Sequence, residues 1–163
     1  PETVRVRHLL QVLDDNLDTV SKAVTRPLRN LRLACHYGCH ALRPAAVTHF
    51  DDPLAPTVFE RVAAATGAEP LPWELRLECC GYPLRGRDEA ISDLLMAKKL
   101  ASAEASGADV LATACTYCQL QFGRGGGIPS VLFPQLLGLA LGLPPEDLGL
   151  APDAPWLCRL EKE

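Results

Sequence analysis

Three short apolar runs in this chain each lead into a cysteine group, and that repeated junction restricts the possible folds more than any other feature. Leu31-Arg32-Leu33-Ala34-Cys35 precedes Cys39, Leu75-Arg76-Leu77-Glu78 precedes Cys79-Cys80, and Asp109-Val110-Leu111-Ala112-Thr113-Ala114 precedes Cys115 and Cys118. Runs of this length and apolar content read as β-strands. Helix-period segments lie between them, and strands alternating with helices predict right-handed crossovers and a parallel sheet covered on both faces. The expected fold class is α/β, a Rossmann-like parallel sheet of about four strands flanked by helices, with the cysteine groups at the carboxyl ends of strands. In such an open sheet the carboxyl ends of all strands share one edge, and ligands collect in the crevice beyond it. Three cysteine groups far apart in sequence are thereby delivered to one place.

The remaining segments fit that frame. Val6, Leu9, Leu10, Leu13, Leu17, Val20 and Val24 recur at three- and four-residue intervals, which predicts one N-terminal helix within residues 1–27, ended by Pro27. Thr57 is a candidate N-cap for a helix through Val58, Phe59, Val62 and Ala65, stopped by Gly67. Asp88 to Ser106 is the clearest helix, with acids early, Lys98 and Lys99 later and Gly107 beyond its end, an order that suits the helix dipole. Its expected core face is Ile91, Leu94, Leu95 and Leu100. Ser130-Val131-Leu132-Phe133 is a fourth strand, a Leu-rich helix follows from Gln135 to Leu141, and residues 143–163, rich in proline, read as an irregular tail. We expect a single cysteine-rich domain over residues 1–163. The chain opens at Pro1 without a methionine, so a domain cut from something longer is expected.

Composition excludes several classes of partner. A net charge of −4 with scattered Lys and Arg gives no basic field for a phosphate backbone, so no nucleic acid is expected. No apolar run is long enough to span a bilayer. With 163 residues the chain can bury a sufficient core without disulfides. Its seven cysteines are odd in number and tightly grouped, which favours metal or redox chemistry in a reducing, cytoplasmic compartment over a disulfide framework.

Five of those cysteines, Cys39, Cys79, Cys80, Cys115 and Cys118, are candidate ligands of one metal centre. Zinc is one candidate, since four thiolates complete a tetrahedral structural site. Five thiols exceed what one zinc ion accepts, however, and the vicinal pair Cys79-Cys80 sends its side chains apart in any extended conformation. A polynuclear iron-sulfur cluster spreads its irons and can take adjacent thiolates at different metals. Both remain open on residue types alone.

His36-Tyr37-Gly38-Cys39-His40, Cys79-Cys80-Gly81-Tyr82-Pro83 and Cys115-Thr116-Tyr117-Cys118 occur in this order, with 39 residues between Cys39 and Cys79 and 34 between Cys80 and Cys115. This pattern resembles the cysteine-rich CCG domain in the B subunit of heterodisulfide reductase, its second gap slightly short of the family's. The likeness is to the C-terminal half of that protein, and takes in the opening helix and Val131-Leu132-Phe133-Pro134-Gln135-Leu136-Leu137-Gly138. The resemblance implies a noncubane [4Fe-4S] cluster on Cys39, Cys79, Cys80, Cys115 and Cys118. It implies other redox subunits as partners and a disulfide or thiol substrate, split by two such domains acting together. One motif alone implies a cluster-binding domain inactive in isolation and able to pair as a homodimer. Related domains occur in quinone- and hydroxy-acid-linked oxidoreductases, so electron transfer to such a system is the alternative, beside a zinc-stabilised interaction domain.

Other residues carry weaker signals. Cys35 lies within a strand and reads as a buried thiol held in reserve as a ligand; Cys158, in the tail, has no motif context. His36 and His40 flank Cys39 and are candidates either to donate to sulfur or simply to be solvated. Tyr37, Tyr82 and Tyr117 each accompany a cysteine group and are expected to pack; His8 and His49 are assigned no role. Gly125-Gly126-Gly127 lacks the lysine and the strand-to-helix setting of a phosphate loop.

Overall fold

The computed structural model describes residue 4 and residues 6–160. In chain order the elements are α1 (Leu9–Asp14), α2 (Leu17–Ala23), β1 (Arg32–His36), α3 (Cys39–Leu42), α4 (Ala45–Thr48), α5 (Val58–Ala65), β2 (Glu69–Leu71), α6 (Glu89–Ala105), β3 (Val110–Thr113), α7 (Thr116–Phe122), β4 (Ser130–Leu132) and α8 (Phe133–Ala140). The four strands form one sheet in the order β2-β1-β3-β4, every pair parallel. An α/β fold with a four-stranded parallel sheet is thus observed, as the alternation of apolar runs implied.

The strands carry the core on both faces. Leu33 and Cys35 of β1 and Val110 and Ala112 of β3 face a layer shared with α1, α5 and α8. Ala34 and Leu111, one residue out of phase, face a second layer with α6 and α7. This is the period of two expected of a strand buried on both sides. No helix among the described residues is long and apolar enough to cross a membrane.

Four expectations are corrected. The N-terminal helix is broken into α1 and α2: the Asn16 side chain donates to the Val12 carbonyl at 2.8 Å while its backbone N–H turns to Leu13, so side chain and tightened turn end the helix together. Val6 lies before α1 and is exposed, and residues 1–3 and 5 of the proposed helix lie outside the described residues. Leu75-Glu78 is not a strand. The second strand is Glu69–Leu71, a short edge strand containing Pro70, tolerated because only one of its sides is paired.

On α6 the buried residues are Ser92, Met96, Lys99, Leu100 and Ala103, whereas Ile91 and Leu94 are exposed. The helix is rotated from the orientation its leucines suggest because polar Ser92 and Lys99 have partners inside. Finally, the proline-rich tail is irregular but packed. Two 3-10 turns, Pro145–Leu148 and Leu157–Arg159, bring Trp156 and Leu157 into the core, and Arg159 reaches Asp109 at 3.1 Å. The tail's residues 161–163 lie outside the described residues.

Elsewhere sequence and structure agree closely. Asp88 caps α6, its carboxylate accepting the Ile91 N–H at 3.0 Å, and Gly107 follows with a left-handed φ of +80°. Thr57 stands at the N-cap of α5, yet it is the Asp51 carboxylate that accepts the N–H groups of Thr57 and Val58, at 2.7 and 2.8 Å.

Candidate metal centre

The strand order sets the position of the site. From β1 the chain passes to β2 on one side, and β3 then lies on the other, so the winding reverses between β1 and β3. Crossovers diverge at that point and leave a crevice beyond the carboxyl ends. Cys39 opens α3 just after β1, and Cys115 caps α7 just after β3, so the two flank the crevice. Cys79 and Cys80 reach the same edge by another route, on a segment of turns eight residues beyond β2.

Two glycines let these loops meet. A Cβ on Gly38 would sit 2.8 Å from Cys115 Cβ and within 3.9 Å of Cys118 Sγ, so the β1 and β3 loops are in contact there only because Gly38 has none. Gly38 also has a φ of +79°. Gly81 has a φ of +88°, and a Cβ there would lie 2.5 Å from the Ser92 carbonyl oxygen of α6. The Ser92 hydroxyl in turn donates to the Gly81 carbonyl at 3.0 Å, and Gln121 of α7 donates to the same hydroxyl at 3.0 Å. One buried network therefore ties the Cys-Cys-Gly turn to the helix that carries Cys118.

The cysteines interact as one set. Cys118 shares its proton with Cys115 and Cys80, which pushes its own pKa well up. That hydrogen bond, with the N–H groups of Cys118 and Tyr117, brings Cys115 down to about 5, and Cys118 likewise brings Cys80 down to about 7 against its burial. Cys39 is raised, first by burial and then by the neighbouring Cys79. Hydrogen bonds thus join Cys39 to Cys79 and Cys118 to both Cys80 and Cys115, the charge of Cys80 acts on Cys39 across the two groups, and none of the five is in a disulfide. Among the described residues, no three His, Cys, Asp or Glu side chains are grouped to hold a single metal ion.

A cavity of about 560 Å³ opens over the cysteines, lined by Cys39, Cys80, Cys115 and Cys118 together with His8 and His40. At its wall the rings of Tyr82 and Tyr117 stand 5.0 Å apart; Tyr82 also packs on the core layer of α6 and α7, whereas Tyr117 is exposed. Tyr37 does pack, its ring against Phe50 and Phe59 and its hydroxyl donating to Glu60 while accepting the Phe59 N–H at 3.0 Å. A groove of about 640 Å³ on the opposite edge, beside Asp109 and Trp156, contains no cysteine.

Cys35 is fully buried on the far face of β1, and burial raises its thiol well above the ordinary range. Cys158 is exposed in the tail, whose Arg159 lines the opposite groove. His36 is not solvated: it is buried between Trp73 and Phe122, both ring nitrogens lack a protein partner, and burial holds its pKa at about 3. Two residues were missed. His8 lines the cavity from before α1, with Nδ1 accepting the Leu10 N–H at 3.2 Å, and its sequence position gave no signal. Lys99 is buried behind the Cys-Cys-Gly segment; its spacing from Ser92, Met96 and Ala103, all on one helical face, was the available clue.

Comparison with known proteins agrees with this geometry. Residues 33–123, more than half the chain and including every cysteine of the site, match the model of the cysteine-rich domain family known as CCG. The chain belongs to the CCG family. It is 34% identical over 167 residues to the B subunit of the ferredoxin/F(420)H(2)-dependent CoB-CoM heterodisulfide reductase of Methanosarcina acetivorans, covering 93% of this chain and 55% of that protein. The 8-methylmenaquinol:fumarate reductase membrane anchor subunit of Wolinella succinogenes is 35% identical over 159 residues, covering 91% of this chain and 56% of its own. The B subunit of a ferredoxin:CoB-CoM heterodisulfide reductase from Methanosarcina mazei is 32% identical over 169 residues, covering 93% and 55%. This CCG domain thus spans a little over half the length of these curated relatives, all of them subunits of oxidoreductases.

Proposed function

We propose that this CCG domain binds an iron-sulfur cluster through Cys39, Cys79, Cys80, Cys115 and Cys118 and serves electron transfer and thiol-disulfide reduction in an oxidoreductase like heterodisulfide reductase, in the place of its B subunit. The observation that carries the proposal is the convergence of Cys39, Cys80, Cys115 and Cys118 on one crevice, with Cys79 hydrogen-bonded to Cys39 beside it. That donor set suits a polynuclear cluster better than zinc, which takes four ligands around one point. When bound, the cluster supplies one-electron chemistry, and in the family the noncubane [4Fe-4S] form. The protein supplies the rest. The Cys118 thiol and the N–H groups of Cys118 and Tyr117 hold the Cys115 pKa down at about 5, Gly38 and Gly81 admit the loops to close approach, and Tyr82 and Tyr117 line the same cavity as the thiols.

On this reading the domain is one half of a larger two-domain protein, cytoplasmic, and acts with other redox subunits on a disulfide or thiol substrate; alone it pairs at most with its own copy. The fumarate reductase relative supports a second reading, electron transfer in a quinol-linked enzyme. Anaerobic reconstitution with iron and sulfide, followed by analysis of both, is the test. Bound iron with comparable labile sulfide, lost on Cys80→Ser or Cys118→Ser, is the expected result. One tightly held zinc ion without sulfide would establish the interaction-domain alternative instead.

A further inference from the structure

We propose that Lys99 of α6 is the built-in counter-charge of the thiol crevice and the tie that holds the Cys79-Cys80 segment in place, a role that rests on the cluster-binding reading above. Lys99 is 1% exposed. Its Nζ donates to the carbonyls of Leu75 and, at 2.9 Å, of Glu78, so it spans the segment immediately before Cys79. It also lies 4.8 Å from the centre of the Trp73 ring, whose indole N–H is itself fixed on the Cys35 carbonyl at 3.1 Å. Every contact of this ammonium thus draws the cysteine segment toward α6.

Among the described residues no carboxylate forms an ion pair with Lys99. A buried ammonium without a carboxylate is expensive, and carbonyl dipoles with an aromatic face compensate only part of its lost hydration. Burial lowers the Lys99 pKa to about 8, and the groups that favour its charged form are Cys80, Cys118, the Glu78 carboxylate and Cys79, three of the four being sulfur. The two halves of this arrangement need each other. Thiolates gathered to hold a cluster repel one another, and one fixed positive charge behind the Cys79-Cys80 segment relieves that repulsion without occupying the crevice. Reduction of a bound cluster adds negative charge, so the same ammonium stabilises the reduced state and raises the potential.

Lys99→Met removes both charge and donors at nearly unchanged length, whereas Lys99→Gln removes the charge and keeps an N–H donor. Two readouts separate the roles. In the metal-free domain, amide exchange of residues 75–80 is expected to speed up about tenfold or more in Lys99→Met and less in Lys99→Gln, with exchange of β1 and β3 unchanged. In the reconstituted domain both variants are expected to have a lower reduction potential than wild type.

Unchanged exchange in both variants would overturn the tie. An unchanged potential in Lys99→Gln would overturn the counter-charge. Failure of the wild-type domain to take up iron and sulfide would refute the cluster reading and the counter-charge with it. Amide exchange on metal-free protein would still decide for or against the tie.

Discussion

At the scale of single residues, the site depends as much on atoms that are absent as on the sulfurs. Gly38→Ala would place a methyl 2.8 Å from Cys115 Cβ, between the two loops that flank the crevice. We expect it to lower iron uptake severalfold while leaving the metal-free fold largely intact, because the crevice side can open outward. Gly81→Ala meets a carbonyl of α6 at 2.5 Å, which cannot move without the helix, so roughly 1–3 kcal/mol of fold stability should go with the metal. Iron content and urea unfolding of both variants distinguish the two patterns. His36 makes a further residue-scale prediction. Its folded pKa of about 3 lies below the ordinary 6.5, so between these values the unfolded chain binds a proton that the folded chain refuses. Stability therefore falls as pH drops through this window, by about 1.4 kcal/mol per unit, or roughly 2–3 kcal/mol by about pH 4.5. Urea midpoints should show that loss in wild type and a much shallower one in His36→Leu; an equal acid slope in the variant would place the loss elsewhere.

At the scale of elements, α6 and α7 act as a single support for the Cys-Cys-Gly turn. Ser92 donates to Gly81 and accepts from Gln121, so Ser92→Ala breaks the link between turn and helix pair at its centre. A cost of about 0.5–1.5 kcal/mol is expected, because the Gly81 carbonyl still accepts the Leu84 N–H at 3.0 Å and Gln121 still reaches the Ser92 carbonyl at 3.3 Å. Amide exchange should localise the loosening to residues 80–84 and the end of α7. This support was only partly legible in the sequence. The existence of α6, its Asp88 cap and its glycine stop were readable because capping is local chemistry. Its buried face was not, because Ser92 and Lys99 are drawn inward by partners 11 and more than 20 residues away. The same contact explains the false strand at Leu75-Glu78. The alternation was real, but the carbonyls that a strand would give to its neighbour go to Lys99, and Arg76 goes to Glu60 at 2.7 Å. The placement of Cys39, Cys115 and Cys118 at one edge was readable because strand polarity carries them there, whereas Cys79 and Cys80 reach it on a segment of turns that the sequence presents as a strand.

At the scale of the whole molecule, the sheet separates chemistry from anchorage. The carboxyl edge holds the thiols; the amino edge holds the buried Asp109 carboxylate, gripped by Arg32 at 2.8 Å and Arg159 at 3.1 Å, with Trp156 packed beside it. Trp156→Ala should cost about 3–5 kcal/mol. Iron bound per folded molecule should nevertheless stay at the wild-type value. Loss of both in proportion would mean that the two edges are mechanically coupled.

The separation of edges also bears on how such domains can change in length. The turns entering β3 and β4, around Gly107 and around Gly125-Gly126-Gly127, lie at the amino edge, with Gly107 and Gly127 both on its groove. Residues inserted or deleted around Gly107 extend or shorten the spacing between Cys80 and Cys115 without moving any sulfur, and those around Gly125-Gly126-Gly127, beyond Cys118, leave that spacing unchanged. Spacing between the motifs is therefore a record of crossover length, free to drift, whereas the two residues between Cys115 and Cys118 are fixed by one turn of helix. A search that held the long gaps rigid would overlook members of this architecture that keep the same crevice.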